Sequence, residues 1–534
     1  KIILESRIEQ IQNLIGEVEG RKLDRQQLKC IAEDVDNQLV IAGAGTGKTT
    51  TILGKIKYLL KSGECKPEEI LALSFTNASA SEMSERIAME TGAELDAMTF
   101  HKLGLSIISK VEKTVPKITK INLHKFIREQ LQDKISGIKY LQTLSHYFIY
   151  SFNNARSEFD FKSQNEYEEY IRLNPPATLS GEKVKSYGEM DIANFLFENG
   201  VKYIYEHPYK IDTRNEEYGQ YYPDFYLPEY DIYIEYFGVN RKFEVPEYFS
   251  SNHGMRAQGA YRASMNWKRK LHERNHTKLV ECFAYEKSED ILLCNLRNNL
   301  EKQGVKFSPI EPQELWDIVS QNSKSNFDNI VSLFETIINL AKSNQYSIEY
   351  LYQKSPICAE RDLLSLVELI FEEYSKYLIE HNEIDFNDMI NLAASYIEKG
   401  KYTHNYKYVI VDEYQDISSS RYSLLKTLRN SSPYKLFCVG DDWQSIYRFA
   451  GSDIDYILNF EHYWGSSVTS KIETTYRFSP QLVEISSDFI MRNPKQIKKK
   501  IVSHRVADIL AFGEINGYTD RYAIQFMFDK IQHL

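Results

Sequence analysis

The 534-residue sequence predicts an α/β protein whose main sheet is parallel and whose chain is interrupted by a long insertion. Three observations carry that expectation. The apolar run Leu39-Val40-Ile41 leads into Ala42-Gly43-Ala44-Gly45-Thr46-Gly47-Lys48-Thr49 and then Thr50-Thr51-Ile52-Leu53. A buried strand, a glycine-rich turn and a helix start form the layout of a phosphate-binding loop. Far downstream, Tyr408-Val409-Ile410-Val411 ends in Asp412 and Glu413, a second buried strand that delivers two carboxylates to a sheet edge. Between the two, residues 182–300 break into short β-rich pieces flanked by helical runs, a separate α/β pattern.

The first element predicts nucleotide chemistry. Its glycines let backbone N–H groups close around phosphate oxygens, and the following helix N-terminus adds favourable partial charge. Lys48 is spaced to reach the β- and γ-phosphates and Thr49 to ligate Mg²⁺. Ala42 stands where such loops often have glycine. The second element supplies the other half. Asp412 would hold Mg²⁺, usually through water, and Glu413 would position or deprotonate the attacking water. Together they read as hydrolysis of a nucleoside triphosphate.

The two halves must share one sheet, so everything between them is an insertion. Lys120 to about Asn174, and about Pro309 to His381, are rich in Leu, Ile, Glu and Lys at helical spacing. Asn174-Pro175-Pro176-Ala177 marks a boundary. The stretch from Tyr187 to Leu196 reads as a helix, 202–206, 223–227 and 231–236 as strands, Tyr261 to Glu273 as a basic helix and Lys278–Phe283 as a further strand.

The Asp412-Glu413-Tyr414-Gln415-Asp416 box resembles motif II of superfamily 1 DNA helicases of the UvrD/Rep type. Further segments match that family in order. Leu23-Asp24-Arg25-Gln26-Gln27 resembles the Q-motif; Ser74-Phe75-Thr76-Asn77 and Thr99-Phe100-His101 resemble motifs Ia and Ib. The run Ile384-Asp385-Phe386-Asn387-Asp388-Met389 matches a further family segment. The run from Gly440 to Phe449 resembles motif III, and Thr475-Tyr476-Arg477-Phe478 resembles motif IV. Trp443, Arg448-Phe449 and the run from Asn493 to Lys499 look most like the helicase IV branch. The resemblance covers roughly residues 20–110 and 380–503.

It implies a RecA-like P-loop motor domain (1–105 and 382–465), a helical insertion subdomain (106–181 and 301–381) and the start of a second RecA-like domain (466–534). It also implies ATP and Mg²⁺ as ligands. Gln27 would read the adenine edge and Tyr476 stack on the base. Residues 42–50 (Ala42, Gly43, Ala44, Gly45, Thr46, Gly47, Lys48, Thr49 and Thr50) would hold the phosphates. Arg477 would neutralise γ-phosphate charge, and Gln444 would couple the γ-phosphate to the DNA site. Phe75, Thr76, Asn77, Thr99, His101, Tyr447 and Phe449 would contact single-stranded DNA, the aromatic residues by sequence-tolerant stacking. No segment after Lys500 resembles motifs V and VI, so the rest of that second domain is expected beyond this sequence.

The order of elements in 182–300 resembles the core of PD-(D/E)XK nucleases, a helix, a hairpin carrying spaced acids, a helix and a strand. Asp224 and Glu235, with Glu189 on the first helix, would share a hard cation such as Mg²⁺ or Mn²⁺, which activates water and stabilises phosphodiester charge. The family's lysine usually sits two residues after the second acid, where this sequence has Phe237; Lys268, with Lys270 second, would supply it from the next helix. The alternative is a DNA-binding subdomain or an inactive nuclease fold.

Bulk composition frames these readings. Length predicts several domains; 42% hydrophobic and 26% charged residues describe a globular protein. No apolar run predicts a membrane span, and no secretory signal is visible. Six scattered cysteines lack metal spacing and read as reduced thiols of a cytoplasmic protein without an iron–sulfur cluster. The net charge of −10 does not advertise a nucleic-acid binder. Two basic stretches, 268–278 and 495–500, would follow a phosphate backbone or form solvated helix faces. The expected partner is single-stranded or partly duplex DNA, with other repair or defence proteins, in repair, recombination or defence against phage. The leading expectation is an ATP-dependent helicase or translocase with a nuclease insert. The alternative is a DNA-stimulated ATPase or DNA sensor whose insert only binds DNA.

Overall fold

Buried parallel strands read as continuous apolar runs because each face of the sheet needs its own hydrophobic cover. In the computed structural model, Val40 and Ala42 enter one core with Ala72, Ile410 and Val439, while Leu39 and Ile41 enter another with Leu71, Val409 and Leu436. The model describes residues 2–505 apart from 136, 152–155, 215–218, 247–256, 323 and 356–357. The sheet has six parallel strands, in the order Val468–Ile472, Asn37–Ala42, Lys435–Gly440, Tyr408–Val411, Ile70–Ser74 and Met98–Thr99. Val409 lies level with Leu436 on one side and Leu71 on the other. All strands therefore end at one edge, where Gly43, Phe75, Asp412 and Asp441 begin the loops. Ligands of open α/β sheets bind at this carboxyl edge.

Two compact units emerge. One holds residues 1–120, 336–346 and the chain from Lys376 on; the other holds 121–335 and 347–375. The division expected after residue 105 falls inside the helix Phe100–Glu112. The expected boundary after 465 is likewise displaced. Val468–Ile472 pairs with Asn37–Ala42 and completes the six-stranded sheet rather than opening a second domain. Beyond it lie Thr474–Thr475, the helix Pro480–Ile490 and Val502–Ser503, the two short strands pairing in parallel. The remainder of the expected second domain, 506–534, lies outside the described residues.

Within the insertion, the helices Leu123–Lys134, Ile138–His146, Gln164–Leu173 and Pro312–Asn322 follow the helical spacing of the sequence. A four-stranded sheet follows the order Ile204–Tyr205, Phe225–Leu227, Ile232–Phe237 and Lys278–Phe283; the first three are antiparallel and the last pair parallel. The helices Tyr187–Glu198 and Leu292–Lys302 share a core with it through Ile192, Leu196, Ile234, Val280 and Leu296. Gly188 permits close packing, since a Cβ there would lie 2.0 Å from the Tyr236 ring. Among the described residues no helix is long and apolar enough to cross a membrane. Cys30, Cys65, Cys282, Cys294 and Cys438 are free.

Candidate functional site

The loop after Asn37–Ala42 has the backbone that only glycine adopts readily. Gly45 and Gly47 have φ of +73° and +84°, in the left-handed region. A Cβ on Gly45 would lie 2.4 Å from Arg477 Cβ, and one on Gly47 would lie 2.6 Å from Gln27 Nε2. The helix Lys48–Lys61 starts directly after the loop, so its free N–H groups face the turn. Lys48 Nζ pairs with Glu413 Oε2 at 2.6 Å. Glu413 has φ +48°, a strained conformation for a residue with a side chain. Its backbone N–H donates to Asp412 Oδ1 at 2.9 Å. Burial, and then the Glu413 charge, push the Asp412 carboxyl up to about 6, with Lys48 opposing.

A cavity of about 450 Å³ opens over this loop. Ala44, Gly45, Gly47, Lys48, Thr49 and Thr50 line its floor; Gln27, Glu413, Gln444, Tyr476 and Arg477 line its walls. Ala42 and Thr46 are fully buried beneath it. The Gly43 N–H is spent on the Ile472 carbonyl at 3.4 Å, and the Thr46 hydroxyl on the Gly43 carbonyl at 2.9 Å. The Tyr476 hydroxyl donates to Asp24 Oδ2 at 3.0 Å, and burial with the Asp24 charge holds its pKa up at about 12. Among the described residues the Arg477 guanidinium has no ion-pair or hydrogen-bond partner, although it lines the cavity.

Gln27 reaches the cavity wall with its side chain already engaged. Its carboxamide accepts from the Asp24 N–H at 3.0 Å in a capping box and donates to the Thr46 carbonyl at 3.2 Å. It braces the loop and must exchange those bonds to reach a base. Gln444 Nε2 donates to Asp441 Oδ2, while the Asp441 N–H donates to Gln415 Oε1 at 2.9 Å. Gln415 Nε2 in turn donates to Glu413 Oε2 at 2.9 Å.

Arg21, Lys22 and Arg86 also line the cavity. Arg86 pairs with Glu19 at 2.7 Å, and Glu19 accepts from the Thr50 hydroxyl at 2.9 Å. A lone arginine on the solvated helix Asn77–Thr91 carries no motif signal in the sequence.

At the same sheet edge, Phe75 stacks on Tyr447 with centroids 5.9 Å apart, and Tyr447 lies 6.0 Å from Phe449. Tyr447 and Phe449 are 41% and 68% exposed, an open aromatic surface. His101 lies 5.4 Å from Phe386, which is 60% exposed and was not anticipated as a site residue. Burial, and then Arg421, lower the His101 pKa to about 4. Thr76 and Thr99 are helix caps, accepting from Ser79 N at 3.1 Å and Lys102 N at 3.2 Å. Thr99 is buried, so its hydroxyl is not open to a ligand; Asn77 is exposed.

In the insertion unit, Glu235 and Glu189 are buried and Asp224 is half-buried, and the pKa values of all three are raised, by desolvation first. Asp224 is pushed further by the Glu235 and Glu189 charges. Each carboxylate holds a protein donor. Asp224 accepts from Tyr236 N at 2.7 Å, Glu189 from the Tyr205 hydroxyl at 2.5 Å, and Glu235 from the Tyr221 hydroxyl at 2.6 Å and from Lys268 Nζ. Phe237 is buried beside Met265, and Lys268 comes from the helix Ala257–Arg274; Lys270 is exposed. Lys185, Tyr222, Trp267 and Lys268 line a groove of about 570 Å³ there. Among the described residues no three His, Cys, Asp or Glu side chains stand ready as a metal cage. The donor set is oxygen-only, the ligand type of a hard divalent cation, and a cation there would have to displace Lys268 and the hydroxyl donors.

The basic stretches change meaning. Lys268 pairs with Glu235, Arg269 with Glu281 at 2.5 Å, and His272 is buried. Lys499 is buried between Asp441 and Asp442 and is not available to a phosphate backbone, whereas Lys495, Lys498 and Lys500 are exposed.

The sequence profile of the UvrD/REP helicase N-terminal domain matches residues 23–464. The chain belongs to the UvrD/REP helicase family. It is 24% identical over 501 residues to DNA helicase IV of Escherichia coli K12, covering 93% of this chain and 51% of that protein. It is 28% identical over 217 residues to the ATP-dependent DNA helicase PcrA of Staphylococcus epidermidis, covering 38% and 29%. A probable DNA helicase II homologue of Rickettsia conorii is 32% identical over 149 residues, covering 27% and 22%. The chain thus spans about half the length of the helicase IV relative and less of the others.

Proposed function

We propose that this chain is the ATP-hydrolysing core of a DNA helicase or translocase that moves on single-stranded DNA. The observation that supports it is one cavity lined by Lys48, Glu413, Gln444 and Arg477, whose guanidinium has no ion pair among the described residues. ATP enters with its base against Tyr476 and its phosphates along the Gly45–Thr49 amides. Lys48 exchanges Glu413 for the γ-phosphate, which frees the Glu413 carboxylate to orient and deprotonate the attacking water. Arg477 neutralises charge that develops on the transferred phosphoryl oxygens. Thr49 and Asp412 would hold Mg²⁺, which neutralises β- and γ-oxygen charge. Gln444 lines the cavity and lies three residues before Tyr447, a position from which it would couple the γ-phosphate to the aromatic surface. Bases stack on Tyr447, Phe449 and Phe75 in any sequence. The test is ATP turnover by Glu413→Gln. Nucleotide binding should persist while turnover falls at least ~100-fold; near-normal turnover would remove Glu413 from the chemistry.

The insertion is proposed as a metal-dependent deoxyribonuclease. Three carboxylates in one sheet-and-helix cluster support it: burial raises the pKa values of Glu189, Asp224 and Glu235, the Glu235 and Glu189 charges push Asp224 further, and Lys268 is the cation bonded to Glu235. Glu189, Asp224 and Glu235 would hold Mg²⁺ or Mn²⁺, which supplies an activated water and charge stabilisation. Lys268 then steadies phosphodiester charge. Labelled single- and double-stranded DNA should be cut in Mg²⁺ or Mn²⁺ by the parent and not by Asp224→Ala. No cleavage by either, with DNA binding intact, makes the insertion a binding module.

A further inference from the structure

Arg421 opens the helix Ser419–Ser431, five residues after Asp416. Its Nη1 donates to the Asp416 carbonyl at 3.2 Å. Its guanidinium carbon lies over the Phe75 ring, 4.3 Å from the centroid, and 5.9 Å from that of Phe100. Burial lowers its pKa to about 10, with Asp416 opposing, so it stays a cation at neutral pH. One side chain thus bonds the turn after the catalytic strand through Nη1 and sits over the aromatic surface with its guanidinium carbon.

Each side continues. On the nucleotide side, Gln415 Nε2 lies 3.4 Å from Asp416 Oδ2 and 2.9 Å from Glu413 Oε2, and Glu413 pairs with Lys48. On the other side, Phe75 stacks on Tyr447, and Ser445 Oγ donates back to the Gln415 carbonyl at 3.3 Å. The circuit runs from the phosphate-loop lysine to an exposed aromatic surface with Arg421 as the joint.

We propose that Arg421 is a positioning residue that couples the Glu413–Asp416 turn to the Phe75–Tyr447 surface, so that a nucleic-acid strand stacked on that surface sets the rate of ATP hydrolysis. This rests on the reading of the motor unit as a DNA-stimulated ATPase. Guanidinium is suited to the role because it is planar: it stacks on a ring and donates in its own plane at once. An ammonium is a point charge on a flexible stem and cannot hold both contacts in one geometry.

The test uses Arg421→Lys and Arg421→Ala in the full protein, with ATP turnover measured against increasing oligo(dT). Three quantities are read: turnover without DNA, turnover at saturating DNA, and the DNA concentration for half-stimulation. Thermal unfolding reports folding, and the lysine variant keeps the test valid if the alanine variant misfolds. The expected result is unchanged turnover without DNA and a fall of about tenfold at saturating DNA in both variants, within the ~5–150-fold range of site-to-site coupling. A higher half-stimulation concentration with full turnover at saturation would overturn the proposal and make Arg421 a phosphate contact. Unchanged stimulation, or full rescue by lysine, would overturn it as well. A wild-type protein that DNA does not stimulate would refute the motor reading itself, and the proposed role with it.

Discussion

Replacing Lys499 with methionine removes a charge and leaves the apolar stem. In the native protein the Lys499 side chain is 0% exposed, beside Asp441 and Asp442 at 2% and 0%. Its Nζ lies 2.8 Å from Asp442 Oδ1, bonds Asp441 Oδ1, and sits 4.5 Å from the Trp443 ring centroid. Breaking a buried pair strands the partner charges, which costs about 3–5 kcal/mol. The lost cation–π contact adds about 0.5–2 kcal/mol. Met fills the stem volume, so little cavity cost is added, and about 3 kcal/mol is the lower bound, roughly 150-fold in an opening equilibrium. The readout is amide hydrogen exchange over Asp441–Ser445, where the Gln444 N–H bonds the Asp441 carbonyl at 2.9 Å. Lys499→Met should accelerate exchange there by over ~100-fold, and adding Asp441→Asn and Asp442→Asn should recover most of the loss. Acceleration below about tenfold would show that the pair is solvated and that the chain after Asn493 is not pinned to this turn.

Three further outcomes follow from the same geometry. Gly45→Ala puts a Cβ at φ +73° and 2.4 Å from Arg477 Cβ; the left-handed conformation alone costs about 1–2 kcal/mol, so binding of a fluorescent ATP analogue should weaken about tenfold, and unchanged affinity would contradict the loop geometry. Asp412→Asn should stabilise the metal-free protein. The native carboxyl titrates near 6 against 3.8 unfolded, so its ionisation costs up to about 3 kcal/mol above pH 6. The gain should fade as pH drops through 6 and vanish near 3.8. Denaturant titrations between pH 5 and 8 check this, and a pH-independent difference would rule it out. Gly188→Ala drives a Cβ to within 2.0 Å of the Tyr236 ring. Overpacking of ~1–3 kcal/mol exceeds the ~1 kcal/mol helix gain, so the insertion's melting temperature should fall; a rise would refute the close packing.

Two strands of the main sheet, Asn37–Ala42 and Tyr408–Val411, were legible because they are buried on both faces, read as unbroken apolar runs and end in recognisable motifs. Val468–Ile472 was not, because it is an edge strand whose Thr469 and Lys471 are exposed, and an alternating pattern gives no hint of its partner. The phosphate loop and the acid-tipped strand were readable as motifs, since glycine and carboxylate placement follow from the chemistry. Residues whose role depends on distant partners were not. Lys499 sits in a lysine run, and only folding brings Asp441 and Asp442 to it. Thr99 and Gln27 stand in motif positions, yet both side chains are engaged in helix capping. Arg86 lies on a helix with no local signal, and Phe386 lies in a family-like segment that assigns it no contact; only the tertiary fold places Arg86 at the cavity and Phe386 beside His101.

The central claim is that the cavity over Lys48 hydrolyses ATP in response to DNA. Its most direct test is steady-state ATP turnover with Mg²⁺, with and without saturating single-stranded DNA, for the wild-type protein and Lys48→Ala. The account predicts turnover that DNA stimulates in the wild type and that is lost in the variant in both conditions. Equal turnover in the two proteins, or wild-type turnover indifferent to DNA, would contradict it.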